Sequence, residues 1–174
     1  MADPASPTGV ASASEVDVVV NDEQADVDLD ADRWARLAAA VLRSEGAGGE
    51  LTLTFVDRAE IAALNLEHMG VDGPTDVLSF PLDALEPATV GPRLLGDVVV
   101  CPAVAAEAAP EHAGTVDDEL ALLTVHGVLH VLGHDHATPD ETRAMRSREI
   151  ELLREHHWRG PVPAGFVHEQ GDTR

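Results

Sequence analysis

The chain has 174 residues, a length that fits one domain able to bury about two thirds of its unfolded surface. Its single cysteine, Cys101, excludes an internal disulfide framework and a cysteine-rich zinc site. The net charge of −21, from 32 acidic and 11 basic residues with every basic residue an arginine, argues against non-specific binding of duplex DNA, which relies on many phosphate contacts.

Residues 1–14, rich in Ala, Ser and Pro, carry neither a basic region nor an apolar stretch, so a tail is expected there rather than a secretory signal. No apolar run approaches the roughly 20 residues needed to span a bilayer, and a soluble, cytoplasmic protein with no membrane contact is expected. Val16 to Val20 reads as a first strand. Asp30 then caps a helix with Trp34, Leu37, Ala38, Val41 and Leu42 on one stripe, ending near Gly46. Leu51 to Val56 alternates apolar and polar residues, the pattern of a half-buried strand. A short helix from about Arg58 to His68 turns Ile61, Leu64 and Asn65 inward. From Gly73 to Pro81 the two prolines resist helix and predict a turn leading into an extended segment. The Pro/Gly-rich stretch from Glu86 to Leu95 is expected to form a loop overhanging the site. Gly96 to Cys101 is a β-branched, central strand. Pro102 opens a short alanine-rich helix, and Thr115 with Asp118 gives the cap of the next, about Val116 to Leu132. Thr138-Pro139-Asp140-Glu141 combines a cap, a proline at the first helical position and a glutamate three residues on, starting a last helix that runs to about His157. Residues 160–174 are expected to be a flexible tail. The prediction is an α+β domain over residues 15–159, with about four strands in a mixed sheet and about five helices, the central helix carrying histidines.

The chemistry concentrates in His126-Gly-Val-Leu-His130-Val-Leu-Gly133-His134-Asp135-His136. Residues four apart on a helix share a face with Cβ atoms roughly 5–6 Å apart, so His126 and His130 can address one atom. Gly133 accepts the left-handed turn that returns the chain and delivers His136 as a third ligand. Three neutral imidazoles and one open position describe a catalytic zinc site. His136 is preferred to His134, which directly follows the turn glycine and is less free to swing back. The spacing is that of the metzincin proteases, but those enzymes place a glutamate base directly after the first histidine, where this chain has Gly127. Asp135 reads either as an orienting partner for an imidazole or as a turn former. Asp76 and Ser79, polar residues in an apolar segment, read either as cleft-lining or as local backbone partners.

The histidine block together with Gly73-Pro-Thr-Asp-Val-Leu-Ser-Phe-Pro81 and Leu94-Leu-Gly-Asp-Val-Val-Val100 resembles the YbeY family of bacterial metal-dependent endoribonucleases, also called the rRNA maturation factor family. The resemblance runs from about Val16 to about Trp158. It implies a zinc-dependent endoribonuclease specific for single strands, acting on the 16S rRNA precursor in 3′-end maturation and in late ribosome quality control, with one Zn²⁺ on His126, His130 and His136. A ribosomal protein or a ribosome-associated GTPase is the expected protein partner, a reading supported by the net charge of −21. Two departures from the family pattern stand out: His134 occupies a position where tyrosine is frequent, and Met69 one where many relatives carry an arginine. Arg58 and Arg93 are the candidates to supply that missing charge. The nucleophile, water or the RNA 2′-hydroxyl, and the general base stay open. Two competing functions remain beside the nuclease: a zinc metallopeptidase, suggested by the helix spacing alone, and a non-catalytic ribosome-assembly factor with a structural metal, suggested by the acidity that suits a basic ribosomal protein.

Overall fold

The structure, a computed structural model, describes residues 15–82 and 93–168. Four strands, β1 (Val16–Asp22), β2 (Gly49–Phe55), β3 (Val77–Pro81) and β4 (Leu94–Val100), form one sheet in the order β1-β2-β4-β3. β1, β2 and β4 run parallel, and β3 closes the edge antiparallel to β4. The five helices are α1 (Ala31–Ser44), α2 (Arg58–Met69), α3 (Pro102–Ala108), α4 (Val116–Val131) and α5 (Pro139–Leu153), and a π-turn over Arg154–Trp158 continues α5. This is the α+β architecture with a mixed sheet that the sequence predicts. The expected overhanging loop lies mostly in 83–92, and residues 1–14 and 169–174 likewise lie outside the described residues.

The two faces of β4 explain why it sits second from the edge rather than outside. Val98 and Val100 point into the main core, which also holds Trp34, Val41, Leu53, Leu120 and Leu129. Val99 and Cys101 point the other way, into a smaller cluster with Val56, Ile61 and Leu78. A strand apolar on both faces is stable only when both are covered. α1 presents the predicted stripe, with Trp34, Leu37, Ala38, Val41 and Leu42 all buried. α4 differs: eleven of its sixteen residues are buried, including Leu120 to Val125 without interruption. A helix apolar nearly all round belongs inside, and α4 duly packs against α1, α5 and strands β3 and β4.

α4 approaches the sheet closely at one point. A Cβ on Gly127 would stand 2.5 Å from Val98 Cγ1 and 3.4 Å from Ser79 Oγ. Val98 and Ser79 are register partners across β4 and β3, so one glycine faces one cross-strand pair.

Residues 160–168, expected within a flexible C-terminal tail, make contacts with the rest of the domain. Phe166 is buried and meets the Trp158 ring edge-on at 4.9 Å, and the Val167 amide donates to the His112 carbonyl at 2.8 Å. A single aromatic anchor without periodicity left no signal in the sequence for this packing. Among the described residues no helix is long and apolar enough to cross a membrane.

Candidate metal centre

α4 carries His126 and His130 on one face, and the turn after it brings His136 back to them. That turn has the hydrogen bonds of a Schellman motif: the Gly133 amide donates to the His130 carbonyl and the His134 amide to the Leu129 carbonyl, both at 3.0 Å. Gly133 takes φ of +98°, a value that favours glycine. Beyond it, the Asp135 carboxylate accepts from the His136 amide at 2.7 Å, and the Thr142 hydroxyl on α5 donates to the His136 carbonyl at 3.1 Å. The loop bearing His136 is thereby tied to the first turn of α5. That turn is itself fixed by the capping box of Thr138 and Glu141, with both reciprocal bonds present.

The outcome is convergence. One ligand-capable nitrogen from each of His126, His130 and His136 lies within 4.8 Å of the others, and all three residues are partly buried. The rings pack edge-to-face for His126–His130 and His130–His136, with centroids 4.5 and 4.8 Å apart. Burial lowers the His130 pKa to about 4, reinforced by the neighbouring His126 and His136 charges. His130 is therefore neutral near pH 7, the protonation state a metal requires. His134 faces elsewhere, with Nε2 at 3.4 Å from the Glu45 carboxylate.

A residue the sequence reading missed organises His126. Glu149 on α5, only 2 % exposed, sets Oε1 at 2.7 Å from His126 Nδ1. A carboxylate only accepts, so Nδ1 is the protonated nitrogen and Nε2 keeps the lone pair that a metal takes. Burial alone would raise the Glu149 pKa, but hydrogen bonds from His126 and His168 outweigh it and hold it at about 2. Glu149 is thus the carboxylate set against the His126 ring. Asp135 instead closes the turn. The signal was faint: Glu149 lies 23 residues beyond His126, on another helix.

The remaining candidates make structural contacts. Asp76 accepts from the Val77 amide at 2.8 Å where β3 begins. The Ser79 hydroxyl donates to the Gly127 carbonyl at 3.2 Å, pinning β3 to α4. Met69 is an exposed last residue of α2, followed by Gly70 in the left-handed conformation. Arg58 pairs with Glu107 on α3 at 2.5 Å. The Arg93 carbonyl accepts from the Glu50 amide.

The donor set fits a metal: three imidazoles, one with its tautomer fixed from behind and one kept neutral by burial, suit a divalent transition-metal ion. An α+β domain that gathers three histidines in this way can hold a metal ion. Residues 19–157 match the family described as Endoribonuclease YbeY, and the chain belongs to that family. Among curated relatives, the Endoribonuclease YbeY of Mycolicibacterium gilvum is 50% identical over 112 residues, covering 61% of this chain and 63% of the relative. That of Mycobacterium bovis BCG is 44% identical over 131 residues, covering 72% of this chain and 73% of the relative. The chain thus spans less than two thirds of the length of the Mycolicibacterium relatives, 63% and 61%. A similar solved structure is the solution structure of TM1509 from Thermotoga maritima, with a TM-score of 0.54 and 25% identity, covering 90% of this chain and 99% of that one.

Proposed function

We propose that this chain is a zinc-dependent endoribonuclease that cuts single-stranded RNA, acting in maturation of the 16S rRNA 3′ end and in late ribosome quality control. His126, His130 and His136 hold the metal. The observation that carries the reading is the convergence of their three nitrogens within 4.8 Å. The curated relatives, named endoribonucleases, support RNA as the substrate.

Held by His126, His130 and His136, zinc would supply Lewis acidity toward a phosphoryl oxygen of the RNA, where negative charge grows during cleavage. The chain's own residues prepare the place. Glu149 holds the His126 ring with Nε2 free, burial keeps His130 uncharged, and the Schellman turn with Thr142 fixes His136. At position 127, where zinc peptidases place a glutamate base, an added Cβ would stand 2.5 Å from Val98 Cγ1, so any side chain there forces the core to shift. That contact weighs against peptide hydrolysis. The strongly acidic surface favours delivery to RNA by a basic ribosomal protein over capture of RNA by charge alone.

Incubating the zinc-loaded protein with single-stranded RNA, with duplex RNA and with an unstructured protein tests the proposal. Cleavage of the single strand alone, lost in His130→Ala, is expected. Proteolysis lost in the same variant would replace the nuclease by a peptidase. The product ends then identify the nucleophile: a 2′,3′-cyclic phosphate marks the RNA 2′-hydroxyl, and its absence marks water.

A further inference from the structure

Glu149 has a second imidazole on its other oxygen. His168 Nε2 lies 2.6 Å from Glu149 Oε2, opposite the 2.7 Å bond from His126 Nδ1 to Oε1. We propose that His168, acting through Glu149, sets the orientation of His126 and so the affinity of the three-histidine site for its divalent cation, making the segment 159–168 part of the metal centre. The proposal rests on the metal reading above and adds to it a residue beyond the span, 19–157, that matches the family.

Three observations support it. The first is stoichiometry at the carboxylate. Glu149 is 2 % exposed, and each of its oxygens takes one imidazole donor. Removing a donor from a buried anion leaves an oxygen without a partner, which drives the carboxylate to rotate or to admit water. Either change releases the ring on the opposite oxygen.

The second is the way His168 is held. Its segment is anchored by Phe166, packed on Trp158, and by the bond from the Val167 amide to the His112 carbonyl. The backbone also approaches closely at Gly114, whose φ is +97° and where an added Cβ would stand 2.8 Å from the Gly165 carbonyl oxygen. The third is direction: with Nδ1 committed to Glu149, the free Nε2 of His126 is the nitrogen left for the cation. The line His168–Glu149–His126 is therefore a chain of two charge-assisted hydrogen bonds ending on a ligand. His168 touches no cation; it is a positioning residue.

The test measures Zn²⁺ dissociation constants by competition with a chromogenic chelator, using full-length wild type, His168→Phe, His168→Gln, Glu149→Gln and the Glu149→Gln/His168→Phe double variant. His168→Phe is expected to weaken Zn²⁺ about tenfold, the low end of what loss of an outer partner of a ligating histidine produces. His168→Gln, whose amide donates from nearly the same place, is expected to restore wild-type affinity. The double variant should be no weaker than Glu149→Gln, because both residues act along one line. In the metal-free proteins, long-range ¹H–¹⁵N spectra should show a single His126 tautomer, protonated at Nδ1, in wild type and a mixture in His168→Phe. Should His168→Phe misfold, His168→Ala is read in the same way. Wild-type affinity and a single tautomer in folded His168→Phe or His168→Ala would overturn the inference while leaving the metal site standing. A wild-type protein that binds no Zn²⁺ would overturn both.

Discussion

A Cβ on Gly127 would stand 2.5 Å from Val98 Cγ1, so α4 lies closer to β4 at that point than a side chain allows without a shift of Val98. Val98 is fully buried and β-branched, and cannot swing aside freely. Gly127→Ala should therefore lower stability by about 1–3 kcal/mol, the usual cost of overpacking a dense core, read as a shift in urea midpoint. An unchanged midpoint would show that the approach is looser than described. The same residue illustrates what a sequence conveys and what it withholds. Its identity alone says that a protease base is missing; only the contact with Val98 says that adding one would force the core to shift. The histidines were legible because spacing on a helix dictates which residues share a face. His136 was legible because Gly133 permits the return. Reading His134 out of the ligand set makes a direct prediction: His134→Ala retains zinc and His136→Ala loses it, measured as bound metal per chain. Loss of zinc in His134→Ala would reassign the third ligand. Glu149 was not legible, since its partnership with His126 depends on how α5 crosses α4.

Between elements, hydrogen bonds formed locally were the readable ones. Asp30, Thr115 and Thr138 cap α1, α4 and α5 as their sequences predict, because a cap needs only residues within one turn of it. The join between the π-turn and the start of α4 was invisible, because it pairs residues about forty positions apart. There the Asp118 carboxylate accepts from His157 Nε2 at 2.7 Å and from Trp158 Nε1 at 2.8 Å. Burial pushes the Asp118 pKa up, but the bonds from Trp158, His157 and Thr115 prevail and leave it below the ordinary carboxylate value. A carboxyl group with a lower pKa folded than unfolded stabilises the protein above the unfolded value, about 3.9, and loses that contribution as pH falls through the folded value. Asp118→Asn should therefore cost roughly 1 kcal/mol at pH 7, the charge-assisted part of the two bonds, and flatten the loss of stability below pH 4. Parallel acid limbs in thermal melts of the two proteins would remove Asp118 from the account.

For the molecule as a whole, period-2 and helical patterns conveyed the number and type of elements, and the alternation along β2 matches its burial residue by residue. Strand order was beyond them. That β4 lies between β2 and β3 follows from its burial on both faces, a property shared by many apolar strands and decided only when α2 and α4 cover opposite sides. The fold brings one helix, α4, and the turn after it together on a single point, with α5 supporting it from behind. The proposed function requires that this point hold a metal and that RNA cleavage depend on it. Metal analysis of the purified protein, coupled to cleavage of single-stranded RNA by wild type and His126→Ala, tests this most directly. One equivalent of zinc in wild type is predicted, with metal and cleavage lost together in a folded His126→Ala protein. Wild type without metal, or a variant that cleaves as well as wild type, would contradict it.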